Sequence, residues 1–270
     1  MKNTHVVLIT GASSGIGLAT GQYLINRGFT VVGTSRTPSK YPNHPFPLIY
    51  MDVLDQSSVK IAIDTLVSDY HHVDVLINNA GMGMAGAVEE LQMEPFDKVF
   101  NTNLKGPIFV TQHVLKHMHK QGFGKIINVA SLAGDNGLPF RSVYSASKAA
   151  LRRITESLRL ELRHTPIQCT TLSPGSIQTA IAASRFYAPL KEDSVYFNQY
   201  KNALSDMDAH VNNGIQPIKV AKKIEKIILK SKLKPHYSVG PLLEILSPII
   251  KFFLPQRIYE NLLASFYNLK

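Results

Sequence analysis

HVVLITGASSGIGLATGQYLINRG, residues 5–28, decides the fold. Residues 5–10 form a short, β-branched apolar run that reads as a strand buried on both faces. GASSGIG follows, and LATGQYLINRG then carries apolar residues at helical spacing until Gly28 stops it. Strand, glycine-rich turn and helix in that order is the setting a pyrophosphate needs. Glycines let the backbone approach, and a helix N-terminus offers N–H donors and the positive end of its dipole. Gly11, Gly15 and Gly17 are therefore candidate phosphate-site residues, with Ser13, Ser14 and Ile16 filling the turn. The spacing is Gly-x-x-x-Gly-x-Gly and no Gly-Lys-Ser/Thr follows, which argues against an NTPase P-loop.

The same alternation continues outward. Further strands are expected at 30–36, 48–53, 73–81, 125–131 and 167–175, with helices at 55–70 (Asp55 or Ser57 as N-cap), about 95–120 and 142–164. Strands alternating with helices predict an α/β fold, a single Rossmann-type doubly wound parallel sheet with helices on both faces. Residues 176–215 hold few periodic runs and read as a long substrate loop. PIKVAKKIEKIILKSK (217–232) is helical, and the last thirty residues are apolar and broken by Pro248 and Pro255. The expected organisation is a catalytic domain over 1–240, including the 176–215 loop, and a hydrophobic helical extension over 241–270.

Composition narrows the functional classes. Of 270 residues, 44% are hydrophobic and 18% charged, which describes a globular chain. A lone cysteine, Cys169, excludes an intrachain disulfide framework and suits a reducing, cytoplasmic setting. The run 5–10 is too short for a signal sequence, and no apolar stretch is long enough to span a bilayer. The formal charge of +10 is concentrated in residues 211–270, which hold ten Lys/Arg against three Glu. No nucleic-acid motif accompanies that charge, so nucleic acid is not expected as a partner. The charge suits an anionic cofactor, peripheral contact with an anionic lipid surface or simple solubility. The ten histidines show no metal-ligand spacing, and no metal is expected.

The end of the second strand bears on which dinucleotide binds. An acid there would hold the ribose hydroxyls of NAD. This chain has Thr34-Ser35-Arg36 instead, and a guanidinium pairs well with a 2′-phosphate, which argues for NADP(H) over NAD(H). Asp52, at the end of the third strand, is placed to accept from an adenine amino group, or to serve as a turn residue.

SLAGDNGLPFRSVYSASK, residues 131–148, carries the chemistry. Tyr144 and Lys148 are four apart and share one helix face. An ammonium beside a phenol favours the phenolate and suits the tyrosine to acid–base work.

Thr10–Gly17, Asn78–Gly81 (NNAG), Asn103 within NTNLKG, Ser131, Tyr144-x-x-x-Lys148 and Pro174-Gly175 with Thr179 stand in order. Together they resemble the short-chain dehydrogenase/reductase family over residues 5–180, nearest the 17-beta-hydroxysteroid and retinol dehydrogenase-like branch. The resemblance implies that Tyr144 exchanges a proton with the substrate oxygen, which Ser131 also holds. It implies that Lys148 holds the nicotinamide ribose, and that Asn103 holds a water linking Lys148 to solvent. Asp52, Val53, Asn79, Ala80 and Gly81 would line the dinucleotide, and Pro174, Gly175 and Thr179 would reach the carboxamide. Asn78 would tie strand ends together beneath the cofactor.

The resulting expectation is an NADP(H)-dependent oxidoreductase acting on CH–OH groups, with a hydrophobic sterol-, retinoid- or lipid-like alcohol or carbonyl as substrate. The family also implies a homo-oligomer. The alternative is a dinucleotide-binding scaffold or redox sensor with little turnover. Met82, Met84, the 132–143 segment and the 176–215 loop would wall the substrate pocket. Asp135 stands out there as a residue that meets solvent or a polar group of the substrate. The tail reads as a lid, a subunit contact or a membrane contact.

Overall fold

The computed structural model of the chain describes residues 5–179 and 185–269. The first half runs β1 (Val6–Ile9), α1 (Gly15–Asn26), β2 (Thr30–Ser35), β3 (Leu48–Tyr50), α2 (Gln56–Tyr70), β4 (Val75–Asn78) and β5 (Gly83–Ala85). It continues through α3 (Met93–Phe100), α4 (Gly106–Gln121), β6 (Gly124–Val129), α5 (Ser142–Glu161) and β7 (Ile167–Pro174). The rest comprises β8 (Arg185–Tyr187), α6 (Phe197–Asn212), α7 (Pro217–Ile228), β9 (His236–Val239), α8 (Leu242–Phe253) and α9 (Gln256–Phe266).

Seven strands form one parallel sheet in the order β3-β2-β1-β4-β6-β7-β9. Strand periodicity explains why it is covered on both sides. Val6 and Leu8 of β1 point into a core shared with α2 and α4, whereas Val7 and Ile9 point into another shared with α1 and α7. The two halves of the sheet diverge between β1 and β4, the crevice where open α/β sheets take ligands.

Asp55 is the N-cap of α2, its Oδ1 accepting from the Ser57 amide at 2.9 Å. Three expectations are corrected. The helix expected at 95–120 is two α-helices joined by a π-helical turn over Asn101–Lys105. Residues 197–212, read as loop, form α6. Its Tyr200, Ala203 and Met207 pack into a small core with Ala85 and Ala188. Pro248 lies within α8 instead of breaking it. The Glu244 carbonyl that a residue-248 amide would have met accepts from Ser247 Oγ at 2.9 Å instead. The chain does break at Pro255, between α8 and α9.

Candidate active site

The carboxyl ends of the strands set the order of the site. Along the sheet edge come Asp52 after β3, Arg36 after β2, and the glycine turn after β1. Asn79–Gly81 follow β4, Ser131 follows β6 and Gly175 follows β7. All of these line one cavity of about 810 Å³, near the upper end of the roughly 300–1,000 Å³ of ligand sites.

The glycine turn is built for close backbone approach. Gly11 and Gly15 have φ of +63° and +56°, a region that disfavours side chains. Gly17 serves packing: a Cβ there would lie 2.7 Å from both Asn79 Nδ2 and the Gly11 carbonyl. Asn79 holds the turn, its Nδ2 donating to the Thr10 and Gly11 carbonyls at 3.0 Å each. Thr10 Oγ1 accepts from the Asn79 and Ala80 amides at 3.0 Å. Gly11, Ser13, Ser14, Gly15 and Ile16 line the cavity, whereas Gly17 does not.

Ser35 is buried and its Oγ accepts from the Thr37 amide at 3.1 Å, which turns the chain so that Arg36 stands exposed at the cavity rim. Asp52 Oδ1 accepts from the Leu54 amide at 2.9 Å, so this carboxylate is partly engaged as a turn residue. Val53 lies beside it on the lining. Asn78 bridges β4 to β6 through Asn128 Oδ1 at 2.8 Å and to α4 through Thr111 Oγ1 at 3.0 Å.

At the β6–β7 end, Ser131, Tyr144 and Lys148 share the cavity wall. Ser131 Oγ accepts from the Ala133 amide at 3.1 Å and lies 3.4 Å from the Pro174 carbonyl. Tyr144 is half-buried, with Lys148 Nζ 6.0 Å from its ring centroid. Lys148 is buried and donates to the Val129 carbonyl at 2.9 Å. Burial pushes its ammonium below the usual lysine range, against the attraction of Tyr144. Asn103 sits in the π-turn and does not line the cavity. Its Nδ2 donates to the Met82 carbonyl and Ser147 Oγ, and its Oδ1 accepts from the Met82 amide at 2.8 Å. One lone pair on Oδ1 remains for a water.

The substrate side holds charged and phenolic groups that the sequence reading did not single out, although Arg141 and Arg185 fall in the 132–143 and 176–215 segments expected to wall the pocket. The Arg141 guanidinium lies 5.2 Å from the Tyr144 ring centroid, and Arg185, Glu244, Tyr259 and Tyr267 also line the cavity. Burial raises the Tyr267 phenol, opposed by Arg141. Arg141 lies inside the 131–148 stretch, and Glu244 is a lone acid in an apolar helix, so both had a visible signal. Asp135 is mostly buried and pairs with Arg152 of α5, and it does not line the cavity. Among the described residues no group of three or more His, Cys, Asp or Glu could hold a metal. Cys169 is buried, which raises its thiol to about 12 and keeps it inert.

A nicotinamide dinucleotide fits these residues. The turn after β1 leaves a cradle without side chains at Gly11 and Gly15. Across the cavity, the turn after β7 leaves the Ile177 amide without a protein acceptor among the described residues.

Comparison with known proteins agrees. A profile of the short chain dehydrogenase family matches residues 5–189. The chain is 35% identical over 267 residues to the 3-ketodihydrosphingosine reductase of Bacteroides thetaiotaomicron, covering 98% of this chain and 99% of that protein. It resembles the solved structure of ElxO with NADP bound at 25% identity and TM-score 0.70, over 87% of this chain and 97% of the other. It also shares the fold of a Burkholderia phymatum short chain dehydrogenase/reductase in complex with NAD, at 24% identity and TM-score 0.78, over 92% and 93% of the two chains. With the parallel sheet and the Tyr144–Lys148 wall in place, this chain belongs to the short-chain dehydrogenase/reductase family, oxidoreductases acting on CH–OH groups.

Proposed function

We propose that the protein interconverts a carbonyl and an alcohol on a hydrophobic, lipid-like substrate, using NADP(H). The observation that carries this reading is the convergence of Ser131, Tyr144 and Lys148 on a cavity whose far rim holds Arg36. A bound nicotinamide dinucleotide supplies or accepts the hydride. Tyr144 Oη gives its proton to the carbonyl oxygen as reduction proceeds and takes it back in oxidation. Ser131 Oγ donates to the same oxygen and fixes its position. Lys148 holds the nicotinamide ribose and keeps positive charge beside Tyr144. Asn103 braces the Gly81–Met82 backbone, and its remaining lone pair takes a water that links Lys148 to solvent. Arg36 faces the 2′-phosphate, with Asp52 and Val53 beside the adenine. Gly81 borders the ribose, and Pro174, Gly175 and Thr179 take the carboxamide.

The lipid-like substrate is supported by the apolar walls of the cavity, Met82, Met84, Leu243, Ile250 and Leu263 among them, and by the reductase relative. The extension over 241–270 works with the 1–240 domain as a roof, because α8 and α9 supply part of those walls. Its outer side meets a lipid surface: Leu242, Phe252 and Phe253 line no part of the cavity and are at least 69% exposed. The lysine-rich α7 does not contribute apolar area, since Val220, Ile224, Ile227 and Ile228 are spent on the sheet and α1. Among the described residues no helix is long and apolar enough to cross a membrane. A homo-oligomer completes the reading.

NADPH oxidation measured across a panel of long-chain ketones tests the proposal. Turnover of apolar ketones in preference to small polar ones is expected. NADPH binding with no turnover of any carbonyl would favour the scaffold or sensor instead.

A further inference from the structure

The turn after β7 is held from a direction the reaction does not require. Gly175 N–H donates to the Val239 carbonyl of β9 at 2.9 Å. The Ser176 carbonyl accepts from Ile215 at 3.0 Å, and Gln178 N–H donates back to Ile215 at 3.0 Å. The remaining bonded amide, Ser176 N–H, donates to the carboxylate of Glu244 at 2.7 Å. Glu244 lies in the first turn of α8, where the helix dipole favours an anion. No cation pairs with it among the described residues, which sets it apart from Glu225, held by Arg27 and Tyr23. A Cβ on Gly175 would overlap the Glu244 carboxylate, so a side chain at this turn would push that carboxylate aside. The same extension is fastened to the substrate segment. Lys251 donates to the Asp135 carbonyl at 2.8 Å, Asn136 donates to Ser247 at 3.1 Å and Tyr259 donates to Asn136 at 2.8 Å.

We infer that Glu244 is a positioning residue that sets the cofactor-facing turn 175–177 from the C-terminal extension, so that the Ile177 amide is presented to the nicotinamide end of the dinucleotide. The inference rests on the proposed NADP(H) site. It makes the extension a part of the cofactor site as well as a wall for the substrate. A carboxylate is suited to this place because a charged acceptor holds an N–H more firmly than a neutral one.

The test compares two ligands by calorimetry on the full chain: NADPH, and 2′,5′-ADP, which lacks the nicotinamide half. Glu244→Ala should weaken NADPH binding by about tenfold, the size of losing one hydrogen bond to a charged group. Binding of 2′,5′-ADP should stay within about twofold of the unmodified chain, inside the noise of distant effects. Glu244→Gln, whose amide oxygen still accepts, should restore most of the NADPH affinity. Gly175→Ala, which displaces the carboxylate, should reproduce the Glu244→Ala split. Equal weakening of both ligands, unchanged NADPH affinity in Glu244→Ala, or no rescue by Gln would overturn the inference. Failure of the unmodified chain to bind either ligand would instead remove the cofactor reading beneath it.

Discussion

Arg36 is the residue on which cofactor choice turns. It follows a buried Ser35 and stands exposed at the cavity rim where an acid would serve NAD. Replacing it by aspartate removes the guanidinium and repels a 2′-phosphate. Arg36→Asp should therefore weaken NADPH by at least about tenfold and improve NADH, as read from the ratio of their dissociation constants. Equal affinities of the unmodified chain for the two would sink the assignment. Single residues are also the most legible part of the sequence. The glycine turn, NNAG, Ser131 and Tyr144–Lys148 are recognisable because their chemistry demands particular residue types at particular spacings. Their partners were not recognisable. That Arg152 takes Asp135, or that the Asn103 side chain is nearly filled by Met82 and Ser147, depends on contacts far apart in the chain.

At the scale of elements, close packing around the first crossover sets a second expectation. Gly33 of β2 faces Phe46 and Ala12, and a Cβ there would lie 2.6 Å and 2.7 Å from them. Gly33→Ala should lower stability by about 1–3 kcal/mol, the usual cost of overpacking, seen as a lower urea midpoint with an unchanged slope. The helical extension gives a third. Phe252 and Phe253, 83% and 77% exposed, stack edge to face at the end of α8. Replacing both by serine should abolish co-sedimentation with anionic vesicles while leaving NADPH binding intact. Binding to vesicles that survives the double substitution would rule out this surface. Boundaries were the weaker part of the sequence reading for a physical reason. The third strand ends at Tyr50 and not at residue 53, because pairing with β2 stops at Ser35. The periodicity of α6, Tyr200-Ala203-Met207, is diluted by a small residue and by polar neighbours, so it passes for loop.

Across the whole molecule, buried titratable groups couple stability to pH. His236 on the edge strand β9 bonds Thr171 Oγ1 at 2.8 Å and Ser238 Oγ at 3.0 Å. Burial, and secondarily Arg152, push its imidazole down to about 4. An unfolded histidine takes its proton near about 6.5, so the unfolded chain binds more protons between the two values. Stability should therefore fall as pH drops from about 6.5 towards 4, by about 1–2 kcal/mol after allowance for partial exposure. Glu225 acts in the same direction at lower pH. Its burial is outweighed by Arg27 and Tyr23, which hold the carboxylate below its usual range and pin α7 to α1. Thermal midpoints at pH 7 and pH 5 should differ less in His236→Gln than in the unmodified chain, and an equal difference would exclude His236 as the cause. Overall architecture was legible in advance, because buried parallel strands alternating with helices allow few topologies. How the last thirty residues fold back over the site was not, because that depends on Glu244, Ser247 and Tyr259 finding partners across the fold.

In the proposed reaction Tyr144 carries the proton while the rest of the cavity binds. The most direct measurement is steady-state NADPH oxidation with a long-chain ketone, set beside NADPH affinity, for the unmodified chain and Tyr144→Phe. Tyr144→Phe should lower kcat by about 10²–10⁴, the usual worth of a general acid, with the NADPH dissociation constant changed by less than about threefold. Retention of kcat in Tyr144→Phe, or a loss explained wholly by weaker NADPH binding, would contradict that role.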